Sequence, residues 1–163
     1  MLKSRSDEWE RPLPNERAEP RTYPTRPYLA VSAAIFRAER VLIVRRARPP
    51  AQGLYTLPGG VVELGETLVA AVIREVREET GLAIEPIWLA GYREVIARDG
   101  EGKIERHFVI LPFAARYVAG EIALNAELAE AKWLLPEELS GLKTTEGLAA
   151  IVTAAGKRIA ALA

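Results

Sequence analysis

The chain has 163 residues, with 22 basic side chains against 22 acidic ones, one histidine and no cysteine. That length bounds a single domain with a sizeable core; the balanced charge argues against nucleic acid or an anionic membrane as partner; and the missing cysteines exclude disulfides, thiolate metal sites and a cysteine nucleophile. No apolar run approaches the roughly 18 residues of a membrane span, and the N-terminus lacks the apolar core of a signal peptide, so a soluble, cytoplasmic protein is expected.

Residues 1–27 intersperse Pro12, Pro14, Pro20, Pro24 and Pro27 with charges of both signs. Such a segment buries too little apolar surface to order itself. It reads as a flexible or extended arm, suited to packing on a partner subunit in a homodimer, and leaves 28–163 as the folded domain. Tyr28–Arg37 and Arg40–Arg46 read as two strands joined by a tight turn at Ala38-Glu39. A loop with Pro49, Pro50 and Gly53 follows over Arg48–Leu57, and Gly59-Gly60 leads into a short strand. The spacing then predicts a helix from about Leu68 to Thr80, with Thr67 as N-cap and Gly81 as left-handed terminator. Its expected apolar stripe is Val69, Ile73 and Val76.

Ile87–Arg98 and Ile104–Tyr117 read as a second hairpin about Asp99-Gly100-Glu101-Gly102. Pro112 lies inside the latter run and predicts an edge or a break there, because proline donates no ladder hydrogen bond. A short strand over Lys132–Leu135 and a helical turn over Pro136–Leu139 come next. A last helix from near Thr145 carries Leu148, Ile151, Val152, Ala155 and Ile159 on one face. There is no internal repeat. Strands alternating with helices predict an α/β domain in which helices cover the faces of a sheet.

The chemistry concentrates in 60–82, where Glu75, Glu78 and Glu79 share one face at the C-terminal end of the first helix. Acidic groups there oppose the helix dipole, losing roughly 0.3–1 kcal/mol each. Glu75 and Glu79 are in addition like charges at i, i+4, which costs about 0.2–0.5 kcal/mol. A sequence that accepts both penalties implies a compensating positive charge. An oxygen-seeking divalent cation such as Mg²⁺ suits carboxylates and bridges to substrate phosphates. A solvated acidic face is the plainer alternative; the crowding at the unfavourable end, beside Pro58-Gly59-Gly60, argues against it.

Gly60-x5-Glu66-x7-Arg74-Glu75-Val76-x-Glu78-Glu79-x-Gly81-Leu82 resembles the Nudix box at every defined position. The strand Val41–Arg46, the Leu57-Pro-Gly-Gly60 entry and the Trp133–Leu139 segment are also similar to this superfamily, so the resemblance covers about 28–160. It implies an α/β/α sandwich with a mixed sheet, and Mg²⁺- or Mn²⁺-dependent hydrolysis of a nucleoside diphosphate linked to a moiety X. By position, it implies that Glu75, Glu78, Glu79 and the carbonyl of Gly59 hold metal, while Glu66 and Arg74 brace the loop against the helix. Glu127 and Glu130 precede Trp133 at a place where relatives carry an acidic group. The general base expected here is Glu79, with Glu130 assisting.

The segments around Arg45–Tyr55, Ile104–Ile110 and Thr145–Leu148 most resemble the compact ADP-ribose pyrophosphatase branch, which implies a small nucleotide substrate. Arg46 matches a phosphate-contacting arginine, against a plain surface role. Tyr55 and Trp133 are suited to stacking on a base, against ordinary half-buried packing. His107 is a substrate contact or, as is commoner for a lone strand histidine, structural. A house-cleaning nucleoside triphosphate pyrophosphohydrolase and a non-catalytic nucleotide sensor are the alternative functions, and the intact box argues against the sensor.

Overall fold

The computed structural model describes residues 21–162. Its elements are β1 (Tyr28–Arg37), β2 (Arg40–Arg46), β3 (Tyr55–Thr56), β4 (Gly59–Val61), α1 (Leu68–Thr80), β5 (Ala83–Leu89), β6 (Arg93–Arg98), β7 (Ile104–Ala119), β8 (Leu128–Leu134), a 3-10 turn (Pro136–Gly141) and α2 (Leu148–Ala160). The sheet runs β3-β2-β1-β7-β5, with β4 on β1, β6 on β7 and β8 on β2. Only β1 and β7 are parallel among these pairs, from Tyr28↔Phe108 to Phe36↔Arg116. The sheet is therefore mixed, as the resemblance implies.

Strand alternation divides the core in two. Val31, Ala33 and Ile35 of β1 point to one face and pack with Val72 and Val76 of α1. Ala34 and Phe36 point to the other, against Leu148, Val152 and Ala155 of α2. Each fully buried Val, Leu or Ile contributes about 1.5–3 kcal/mol by area, so both helices are held by burial, and the α/β/α layering follows.

Several sequence expectations shift. The apolar stripe of α1 is not Val69, Ile73 and Val76, because Val69 and Ile73 are 47% and 37% exposed. The packed side instead carries Ala71, Val72 and Val76 together with Glu79 and Thr80, so carboxylate and apolar faces overlap. The run 87–98 is two strands, since both β5 and β6 pair with β7 and part company at 90–92. Pro112 sits inside β7, not at an edge, and marks the break at which β7 changes partner from β6 to β5; its carbonyl accepts from the amide of Ala90 at 2.8 Å. A proline is tolerated where no ladder donor is required.

The loop 48–57 contains β3, and β8 starts at Leu128 rather than Lys132. The helix α2 begins at Leu148, while the preceding Thr145 is buried, its hydroxyl 3.1 Å from that of Thr56. Of the arm expected over 1–27, residues 1–20 lie outside the described residues. Tyr23 is tied to the β6–β7 hairpin, its amide donating to the carbonyl of Glu105 (2.8 Å) and its hydroxyl to Asp99 (3.1 Å).

Candidate active site

The helix α1 is set by its caps. Thr67 Oγ1 accepts from the amide of Ala70 at 3.1 Å, and Gly81 adopts φ 75° while its N–H donates to the carbonyl of Arg77. This registration puts Glu79, 3% exposed, beneath the glycine strand β4. Glu79 Oε2 accepts from the Gly59 amide at 2.9 Å. Burial pushes the Glu79 carboxyl up to about 8; the Gly59 amide and Arg46 act against this, and Glu127 and Glu75 reinforce it. Burial likewise raises Glu75, with Arg74 opposing and Glu78 and Glu127 adding to the rise. A desolvated carboxylate among other carboxylates favours its neutral form.

The two glycines allow this approach. A Cβ on Gly60 would overlap the Glu75 carboxyl, and one on Gly59 would overlap the β1 backbone at Val31. Arg74 is the hub beside them. It grips Glu66 in two parallel bonds (Nε to Oε1 2.8 Å, Nη2 to Oε2 3.0 Å) and also donates to the carbonyl of Val61, to Glu75 (2.8 Å) and to Glu78 (3.3 Å). Glu66 in turn accepts from the Glu63 amide, and the Arg74 guanidinium holds its carboxyl down at about 2. This fork geometry is the strong form of the pair, and it ties the β4–α1 loop to the helix as the resemblance implies.

The C-terminal carbonyls of α1, orphaned by helix geometry, recruit the next piece. The amides of Ala123 and Asn125 donate to the carbonyls of Thr80 and Glu79 at 2.9 and 3.1 Å. They anchor the loop that carries Glu127 to the carboxylates. A cleft of about 530 Å³ opens in front, lined by Gly59, Gly60, Glu75, Glu78 and Glu127 on one wall and by Arg46 and Arg48 nearby. Arg93, Arg106 and Phe108 line it farther along the sheet. Arg46 Nε donates to the carbonyl of Pro50 at 2.6 Å.

The other residues singled out in the sequence lie elsewhere. Glu130, expected to assist the base, accepts from the Tyr55 hydroxyl (2.6 Å) and from Arg45 (3.2 Å), and pairs with Lys132 (3.2 Å). These partners, the Tyr55 hydroxyl foremost, hold its carboxyl down at about 2. Glu127, not Glu130, is the later-loop carboxylate that faces the box, because the cross-strand register Arg45↔Glu130 commits Glu130 to β2.

Tyr55, spent on Glu130, is not part of the cleft wall, although Thr56 and Leu57 are. Trp133 packs against the α1-side core and edge-on to Tyr117 at 5.9 Å, beside a separate groove with Arg37. His107 stands opposite Ile96 on β7, where the cleft takes the alternate residues Arg106, Phe108 and Ile110. Strand period therefore turns His107 to the other face. Arg48, Arg93, Arg106 and Phe108 were missed as cleft residues. The signal for Arg106 and Phe108 was the period-2 set Arg106-x-Phe108-x-Ile110, which is silent until the sheet register is known.

A model of the NUDIX domain matches residues 26–154. The chain belongs to the Nudix family. An ADP-ribose pyrophosphatase of Methanocaldococcus jannaschii is 35% identical over 107 residues, 66% of this chain and 61% of that protein. An NAD-capped RNA hydrolase NudC of Vibrio vulnificus is 31% identical over 131 residues, 80% of this chain and 45% of that protein. This Nudix chain thus spans 61% and 45% of these two curated relatives' length. A solved MutT NUDIX hydrolase from Burkholderia pseudomallei superposes with a TM-score of 0.67 at 28% identity, covering 78% of this chain and 97% of that one.

Nudix hydrolases use divalent metal ions, and the donor set fits one. Glu75, Glu78 and Glu79 are hard oxygen ligands, and two of them carry raised pKa values that a cation would relieve. Among the described residues no three histidine, aspartate or glutamate side chains already stand together as a metal-holding group. Arg74 holds Glu75 and Glu78, and the Gly59 amide holds Glu79.

Proposed function

We propose that the protein hydrolyses the diphosphate linkage of a nucleoside diphosphate derivative, ADP-ribose or a similar nucleotide sugar, to a nucleoside monophosphate and phosphorylated X. The observation that supports this reading is a cleft in which Glu75, Glu78 and Glu127 stand near Arg46 and Arg48, with the buried Glu79 held behind it on the Gly59 amide. A diphosphate bearing a divalent ion presents the complementary charges to the carboxylates and to the arginines. The nucleotide-sugar choice is supported by the archaeal relative, an ADP-ribose pyrophosphatase.

In this reading Glu75, Glu78 and Glu79, with the carbonyl of Gly59, hold the ion. When bound, it neutralises charge on the diphosphate and acidifies water. Arg46 binds the phosphate oxygens, and Arg74 and Glu66 orient the carboxylates. Glu79 takes the proton of the attacking water as its oxygen bonds to phosphorus, and the bridging oxygen departs with the electron pair on the leaving phosphate. Glu127, facing Glu79, takes the assisting part.

The deciding experiment incubates the protein with Mg²⁺ or Mn²⁺ and ADP-ribose, NADH, dinucleoside polyphosphates and deoxynucleoside triphosphates, and resolves the products. AMP plus ribose 5-phosphate from ADP-ribose is expected. Pyrophosphate release confined to a nucleoside triphosphate would replace this reading with the house-cleaning one. Tight binding without turnover of any compound would make the protein a sensor.

A further inference from the structure

Among the cations lining the cleft, which include Arg21, Arg46, Arg48 and Arg74, two stand on β6 and β7 where diphosphate hydrolysis does not require them. Arg93 of β6 and Arg106 of β7 both line it and are only partly exposed. Neither has an ion-pair or side-chain hydrogen-bond partner among the described residues. This is unlike Arg45 and Arg74, which are matched to carboxylates. Desolvating a guanidinium without an anion is unfavourable, so the pair is a standing demand for negative charge.

Register fixes the spacing. Arg93 faces Ile110, Val95 faces Phe108 and Ala97 faces Arg106. The two arginines therefore bracket an apolar Val95–Phe108 floor along roughly 13 Å of strand. On β1, Gly59 stands opposite Ser32, and Tyr28 opposite Phe108. Through Ile110↔Ala30, Arg93 thus lies two β1 residues from the glycine level, roughly 7 Å along the strand, and is set off further across β7, whereas Phe108 lies four residues from it and Arg106 two residues beyond Phe108. Arg46 is the arginine coupled electrostatically to Glu79, so these two are free to serve another anion. Arginine forks recognise phosphate oxygens bidentately.

We infer that Arg93 and Arg106, flanking Phe108, form a subsite for a second phosphate group on the substrate, remote from the scissile diphosphate. This deepens the proposed function and rests on it. The substrate class becomes a nucleoside diphosphate conjugate with an additional phosphate monoester, carried either on the nucleoside ribose or on X.

The test measures kcat/KM with Mg²⁺ for ADP-ribose, for its 2′-phosphate (on the nucleoside ribose) and for its 1″-phosphate (on X). At least one phosphorylated compound is expected to exceed ADP-ribose by about tenfold or more, as a gained charge-assisted fork implies. That ratio is expected to fall toward one in Arg93→Ala and Arg106→Ala. It should persist in Arg98→Ala, whose guanidinium instead donates to the carbonyl of Gly102. Which of the two compounds is preferred tells where the phosphate sits. ADP-ribose turnover with a ratio near one for both compounds, or a preference that survives both arginine variants, overturns the subsite. If nothing is hydrolysed, the proposed function fails, and calorimetry decides the subsite separately. A phosphorylated compound must then bind about tenfold tighter than ADP-ribose, with the advantage lost in Arg106→Ala, and equal affinities overturn it.

Discussion

Glu79 and Glu130 are two carboxylates on one small domain with opposite fates. Glu79, under β4, has one backbone amide and two carboxylate neighbours, and its pKa is pushed up to about 8. Glu130, on β8, has a phenol, a lysine and an arginine, and is held down at about 2. One is an acidic group in want of positive charge; the other has already found its partners. A carboxylate with spare charge demand can serve an ion or take a proton, whereas a satisfied one rigidifies a sheet edge.

That contrast breaks most sharply at Glu79→Gln. Its kcat is expected to drop about 10²–10⁴-fold, the range for a lost general base, and near-normal turnover would remove Glu79 from the chemistry. Gly60→Ala should follow, because its Cβ would displace the Glu75 carboxyl. Misplacement of a reacting constellation by about 1 Å costs on the order of 10²-fold, so an unchanged kcat/KM would show that Glu75 need not lie where it does. Glu130→Gln should lower kcat less than about tenfold, the least that a general acid–base role implies being 10². A loss equal to that of Glu79→Gln would erase the distinction between the two sites.

The smallest effects are in stability and have opposite signs with pH. A carboxyl raised in the folded state stabilises the fold below its unfolded value of about 4.5 and loses that contribution as pH rises through about 8. A depressed one stabilises above about 4.5 and loses its contribution as pH falls towards about 2. Denaturant titrations in a chelator should therefore show that Glu79→Gln removes part of the stability loss between pH 5 and 8, and that Glu130→Gln removes part of the loss below pH 4.5. Identical pH profiles for the two variants would contradict both assignments.

The carboxylate cluster, the glycine entry and the Arg74–Glu66 brace were legible in the sequence because they are local. They lie within one loop and one helix, where spacing alone decides which side chains meet. The first two strands, both helix caps and the α2 face were legible for the same reason. The buried face of α1 was misjudged, since an acidic side chain at a packed position defies hydropathy. Glu127 and Glu130 are indistinguishable in sequence, and only the β2–β8 register shows that Glu130 is the one consumed by Arg45 and Tyr55. His107 and Trp133 were drawn toward the site by their chemistry and removed from it by strand parity.

What the amino-acid order determined by itself was the presence of a crowded acidic helix end on an α/β domain, since that depends on contacts within about twenty residues. Only the tertiary structure decided which distant side chains share the cleft with it. Glu127 arrives through the orphan carbonyls of α1, and Arg93 and Arg106 through the pairing of β6 with β7. The physical reason is that a shift of one residue in strand register exchanges the two faces of a sheet, and register is set by packing that no local pattern contains.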